Sequence, residues 1–370
     1  MANALSADLA IARVCGPIYA GKKNRVVDCG DVPGNTQDFI VALHEIQVQG
    51  KRKDSGMSNM DYTALGLSCF GPASFLKAPI VRPSGDWTAE VAYLGIPFDQ
   101  GTGFRSGTRW GPRAIRDMSV RFSSLSAVGQ PGYWDLRTGR DRATCSIVDC
   151  GDIDIVPLLW EQNFALITQA VSAILNKGAL PLIGGGDHAV SFPCVRAFEG
   201  RGPITVVHID AHLDYRDEVM GVRYGHGNVL RRVRELPFVE RVVSIGIRSL
   251  RTRREDVEAH RAHGNVLIPA WDVRQRGVEA LAETLPRDTN VYVTFDIDAM
   301  DPGIAPGTGT PEIGGLQYEE ARRIMELVCM RNRVVGFDLV EMNPGLDPSQ
   351  ITALLSVQIL VEAIGVLHHR

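Results

Sequence analysis

From residue 91 onward the chain alternates two hydrophobic patterns. Short apolar, β-branched runs occupy 91–96, 146–149, 180–183, 204–209, 242–247, 266–268, 291–295 and 334–340. Runs that are apolar at consecutive positions suit strands buried on both faces. Between the second and third runs, Trp160, Phe164, Ile167, Val171 and Ile174 recur at spacings of four and three, the stripe of an amphipathic helix. That helix is expected to stop at Asn176-Lys177-Gly178, where glycine takes the left-handed position that ends many helices. Further helices are predicted at 112–118, 253–263, 318–331 and 348–367. Strands alternating with helices predict an α/β fold on a parallel sheet.

The N-terminal quarter has a different texture. Residues 1–56 show no clear period and are expected to form an N-terminal extension, loosely ordered rather than a subunit-contact arm. Residues 57–90 alternate apolar residues with glycine and proline, and predict a surface loop or arm that could wall a cleft. The ordered domain is expected to run over 91–370. No internal repeat and no low-complexity tract is visible.

Several of the predicted strands end in chemistry. Asp210, His212 and Asp214 follow the run at 204–209, and side chains two apart on extended backbone share a side, so the three can converge. Asp296 and Asp298 repeat the alternation after 291–295, and His188 follows 180–183 through a glycine-rich turn. Six candidate ligands thus sit at three strand ends, the edge where open parallel sheets build their sites. Four aspartates in a partly buried pocket cannot all stay ionised without compensating positive charge, which two divalent cations would supply. Oxygen-rich ligands with two imidazoles suit Mn2+ best, then Ni2+, cobalt or iron, and the absence of cysteine argues against structural zinc.

Composition narrows the alternatives. The 370 residues are 45% hydrophobic and 22% charged with net charge −4, an ordinary globular balance without the basic stripe that a nucleic-acid partner would need. The seven cysteines show no CxxC spacing, which favours reduced thiols and a cytoplasmic location. Arg13 interrupts the N-terminal apolar run, so it does not read as a signal peptide. The stretch 351–367 contains Ser356, Gln358, Glu362 and Gly365 and is shorter than the ~20 residues of a membrane span.

The motifs together resemble the ureohydrolase family, which includes arginase and agmatinase. The matching pieces are Gly-Gly-Gly-Asp-His at 184–188, Asp-Ala-His-Leu-Asp at 210–214, Phe-Asp-Ile-Asp-Ala-Met-Asp-Pro at 295–302 and Gly-Thr-Gly-Thr-Pro-Glu-Ile-Gly-Gly at 307–315. An Arg-Ser-Gly-Thr-Arg-Trp-Gly-Pro-Arg signature at 105–113 looks most like the agmatinase-like branch. The resemblance implies a three-layer α/β/α sandwich with a mostly parallel eight-stranded sheet, and a homo-oligomer, trimer or hexamer. It implies one metal on His188, Asp210, Asp214 and Asp296 and a second on Asp210, His212, Asp296 and Asp298, with Asp210 and Asp296 bridging. It further implies His226 as proton shuttle, Glu341 against the substrate guanidinium, and Thr310 as an added hydrogen bond there. The implied reaction cleaves a C–N bond of a small guanidino compound to urea and an amine or ammonia.

The chain departs from arginase in the residues that read an amino-acid head. It has neither an Asn-Thr pair after the Asp-Ala-His-x-Asp motif nor a Ser-Gly-Asn before His226, so arginine is disfavoured. Agmatine, guanidinobutyrate, guanidine and a biguanide remain open. Arg223, three residues before His226, is expected to grip a substrate carboxylate and repel a distal amine. Two alternatives stand beside this reading: hydrolysis of another amidine or formimino substrate by the same metal pair, and an inactive partner subunit of a hetero-oligomeric hydrolase. The intact ligand set argues against the second.

Overall fold

A computed structural model describes residues 73–126, 132–142 and 145–367, together with the two-residue antiparallel strands Tyr19–Ala20 and Arg25–Val26. The described residues from 73 to 367 belong to one compact unit.

Every one of the eight apolar runs forms a strand: β1 Val91–Ile96, β2 Ile147–Asp152, β3 Leu180–Gly185, β4 Ile204–Ile209, β5 Val239–Ile247, β6 Val266–Pro269, β7 Asn290–Asp296 and β8 Arg333–Val340. They make one sheet in the order β6-β5-β4-β7-β8-β3-β1-β2. All of its neighbouring pairs are parallel. Successive strand residues feed opposite layers. Val207, Ile209, Val293, Phe295, Phe337 and Leu339 pack against Ile324 and Val328 of α7 (Tyr318–Arg331) and Leu360 and Ile364 of α8 (Ile351–Leu367). On the other face Ala92, Leu94, Ile183, Val206 and Val340 meet α2 (Trp160–Asn176), α3 (Ser191–Arg196) and α4 (Val229–Arg234). The architecture is therefore the expected α/β/α sandwich.

Helix α2 shows the coupling of pattern to packing. Phe164, Ile167, Val171 and Ile174 are all buried, at about 1.5–3 kcal/mol each, and Gly178 just beyond takes φ 77°. The helices α1 (Gly111–Ser119) and α5 (Arg254–Ala262) fall where expected. The short α3, α4 and α6 (Ala270–Arg276) were not expected, because six or seven residues are too few to display a period. Among the described residues no helix is long and apolar enough to cross a membrane.

The segment expected as a surface loop differs at the start of its described part, while residues 79–88 are irregular and largely exposed as expected. Phe75 and Leu76 are fully buried, Phe75 stacks on Tyr93 of β1 at 4.5 Å, and its amide donates to Asp149 Oδ2 at 2.8 Å. The proline and glycine there bend the chain onto the sheet edge rather than away from it. Residues 57–72 lie outside the described residues.

Candidate metal centre

The centre lies at the carboxyl ends of β3, β4, β7 and β8. The turn after β3 passes so close to its neighbours that a Cβ on Gly186 would sit 1.7 Å from the Phe98 carbonyl oxygen, and the Gly186 carbonyl accepts from the Glu341 amide at 2.8 Å. Only glycine lets that turn deliver His188 beside the ends of β7 and β8. Asp214 and Glu341 hold left-handed backbone, φ 50° and 61°, a conformation that non-glycine residues adopt at a cost of roughly 1–3 kcal/mol and mostly where function requires it.

The structure brings the six predicted ligands together. His188 Nδ1 lies 3.0 Å from Asp210 Oδ2, 3.2 Å from Asp214 Oδ2 and 3.3 Å from Asp296 Oδ2. His212 Nδ1 lies 3.0 Å from Asp298 Oδ2 and 3.5 Å from Asp210 Oδ1. Donor atoms of His188, His208, Asp210 and Asp214 fall within 4.8 Å of one another, as do those of Asp210, His212 and Asp298. Asp210 stands in both groups.

Two observations show that this donor set fits cations. The first is the His188 ring. Its Nε2 meets Thr294 Oγ1 at 2.9 Å, while that hydroxyl donates to Asp338 Oδ1 at 2.6 Å. The hydroxyl's one proton is thus committed, so Nε2 carries the imidazole proton and Nδ1 presents a lone pair to three carboxylates. Nδ1 makes no well-formed hydrogen bond although fully buried. Burial works to lower the pKa of the ring, but the three carboxylates converging on Nδ1 outweigh that and hold it well above the ordinary histidine value, so the site calls for positive charge at that point. The second is charge. Burial, then the Asp298 and Asp210 charges, push Asp296 well above the usual carboxylate range, and burial also raises Asp298. Divalent cations would relieve both.

Sequence reasoning missed the supports. His208, fully buried inside β4, bonds Asp210 Oδ2 through Nε2 at 2.7 Å and Ser244 Oγ through Nδ1 at 3.0 Å. An imidazole two positions before Asp210, on the same side of an otherwise apolar strand, was the available signal. Glu312 Oε1 accepts from Ser249 Oγ at 2.6 Å and lies 3.3 Å from His212 Nε2. Nothing in the local sequence marks that pairing.

The remaining predicted residues are placed as follows. Glu341 Oε1 accepts from the His188 amide at 2.9 Å and meets His226 Nδ1 at 3.0 Å, while Oε2 is buried without a partner. The Gly103 amide donates to His226 Nε2 at 3.2 Å. Burial works to lower the His226 pKa, but the Glu341 carboxylate outweighs it and brings it to about 9. The Thr310 hydroxyl donates to Asp298 Oδ2 at 3.2 Å, so it braces a predicted ligand. Arg223 is half exposed and donates to Asp217 Oδ1 at 3.1 Å.

A cavity of about 830 Å³ opens over the centre. His212, Asp214, Asp296, His226 and Thr310 line it deep down, and Trp160, Met220, Val222 and Tyr224 supply an apolar wall. Arg216, Arg223 and Arg251 also line it.

A parallel α/β/α sandwich with a shared-aspartate donor cluster under an open cavity defines a metal-dependent hydrolase class. The chain belongs to the arginase family, whose model matches residues 89–365. Members of that family use a dinuclear divalent metal site, usually manganese. The guanidinobutyrase of Pseudomonas aeruginosa is 35% identical over 304 residues, covering 80% of this chain and 92% of that protein. The mitochondrial guanidino acid hydrolase of Homo sapiens is 33% identical, covering 80% and 83%. The solved proclavaminate amidinohydrolase of Streptomyces clavuligerus superposes with a TM-score of 0.71 at 31% identity, covering 81% of this chain and 98% of that one.

Proposed function

We propose that this chain hydrolyses a C–N bond of a small guanidino compound, giving urea and an amine or ammonia, with two divalent metal ions. Mn2+ suits the donors best and Ni2+ is the alternative. The observation that carries the reading is the pairing of two donor groups on Asp210 with a buried, unpartnered Glu341 Oε2 behind His226. His188, Asp210, Asp214 and Asp296 would hold one ion, and Asp210, His212, Asp296 and Asp298 the other. Such ions lower the pKa of water to near neutrality and so supply a nucleophile.

The chain's own residues do the rest. Glu341 Oε2 accepts N–H from the guanidinium and orients its carbon over the centre. Its strained backbone and its bonds from the His188 amide and His226 leave the carboxylate little freedom to turn away. Water adds to that carbon and the C–N bond to the departing amine breaks, with both water protons ending on the amine. His226, protonated below about 9 once the Gly103 contact at Nε2 opens, gives one of them and is reprotonated from the water. Thr310 holds Asp298 rather than the substrate.

The three arginines on the cavity favour a substrate with an anionic tail over one with a distal amine. Arg223 is paired with Asp217 and Arg216 with Asp256, so Arg251 takes up most of the role given to Arg223 from sequence. Guanidinobutyrate is accordingly placed ahead of agmatine. The test is a panel of arginine, agmatine, guanidinobutyrate and guanidine, assayed for urea with enzyme loaded separately with manganese and nickel. Urea from guanidinobutyrate supports the proposal, and no urea from any of the four with either metal would refute it.

A further inference from the structure

Arg248 follows the end of β5 and touches no proposed ligand side chain, yet its guanidinium is surrounded by the backbone of the ligand-bearing loops. Nη2 donates to the carbonyls of Asp298 at 2.8 Å, Glu312 at 2.7 Å and Met300 at 3.3 Å. Nη1 donates to Ala299 at 3.1 Å and Gly246 at 3.3 Å. Nε is shared between Glu312 and Ile313 at 3.3 Å each. All of these acceptors are carbonyl oxygens.

Arg248 and the next residue, Ser249, also reach the other ligand loop. The amides of Arg248 and Ser249 both donate to the Ala211 carbonyl, at 2.9 and 3.1 Å, between Asp210 and His212. The Ala211 amide in turn donates to Asp298 Oδ1 at 3.1 Å. Ser249 Oγ closes the circuit on Glu312, whose carboxylate faces His212 Nε2. From the end of β5, residues 248 and 249 therefore tie the loop carrying His212 to the loop carrying Asp298.

We infer that Arg248 is a positioning residue that assembles the half of the centre formed by His212 and Asp298. This rests on the two-ion reading above. The other half has separate supports, since His188 is held by Thr294 and Asp210 by His208. Loss of the guanidinium leaves several partly buried carbonyls without donors, and the loop relaxes to find others. Lysine cannot replace it, because an ammonium on a flexible stem cannot span carbonyls fixed by a planar fork.

The test uses full-length protein in the native form and as Arg248→Lys, Arg248→Ala and Arg248→Gln. Each is stripped of metal, titrated with Mn2+ by calorimetry, and examined by electron paramagnetic resonance. The native protein is expected to bind two ions and give an exchange-coupled spectrum. Each variant is expected to keep one ion with near-native affinity, to bind the second at least tenfold more weakly, and to show an uncoupled six-line spectrum. Arg248→Gln, which keeps a planar donor group able to reach a carbonyl, carries the test if the lysine and alanine variants do not fold. Two ions bound as in the native protein, or both affinities falling together with thermal stability, would overturn the inference. A native protein that binds fewer than two ions would instead overturn the two-ion reading itself.

Discussion

Asp210 stands in both donor groups, with His208 and His188 on one oxygen and the His212 amide on the other. Asp210→Ala is therefore expected to abolish binding of both ions and nearly all activity, because the remaining carboxylates repel one another across the gap. Elemental analysis of the purified variant checks this, and two ions per chain would contradict the shared role. His226 makes a separate prediction. Because its pKa is raised to about 9 by Glu341, the proton donor is present below that pH and lost above it, so kcat should fall as pH rises through about 9. Divalent charge at the centre moves that limb down, never up. In His226→Asn the limb should disappear from the pH profile along with most of kcat. The six proposed ligands were legible in sequence because they cluster just after three strand ends, five at alternate positions and His188 after a glycine-rich turn. Asp214 nevertheless takes left-handed backbone, and Asp298 sits in a short helical turn rather than on extended chain. His208, Glu312, Ser249 and Arg248 were not, since their partners are brought to them by other strands, and no local pattern encodes that adjacency.

At the scale of elements, strands buried on both faces announce themselves as apolar runs, and all eight were readable. Helices α3, α4 and α6 were not, since an apolar stripe needs about three turns to show. The segment around Phe75 misled for a physical reason: glycine and proline signal a bend, not the side to which the chain bends. Because Phe75 is fully buried and stacked on Tyr93, Phe75→Ala should destabilise the fold by about 3–5 kcal/mol. Urea-melt midpoints test this, and a loss below about 1 kcal/mol would return the segment to the surface. Apart from its two short strands, the extension over residues 1–56 lies outside the described residues. Every proposed site residue lies beyond it, so deleting 1–56 should leave catalysis nearly unchanged. An insoluble product or a shift in sedimentation coefficient beyond the lost mass would contradict that expectation.

For the whole molecule, the cavity and the centre together decide the substrate. The chain lacks the Asn-Thr and Ser-Gly-Asn motifs with which arginase reads an amino-acid head, and each missing contact typically costs ~1–3 kcal/mol. The kcat/KM for guanidinobutyrate should therefore exceed that for L-arginine at least tenfold, a gap of ~1.4 kcal/mol. Steady-state kinetics on the two decide it, and arginine as the better substrate would refute the reading of the cavity. The claim beneath all of this is that two divalent ions and the guanidino chemistry belong to one site. It is tested most directly by following urea release from guanidinobutyrate as Mn2+ is added in increments to metal-free protein. The account predicts that activity rises until two equivalents per chain are bound and then levels off. Full activity at one equivalent, or no urea at any loading, would contradict it.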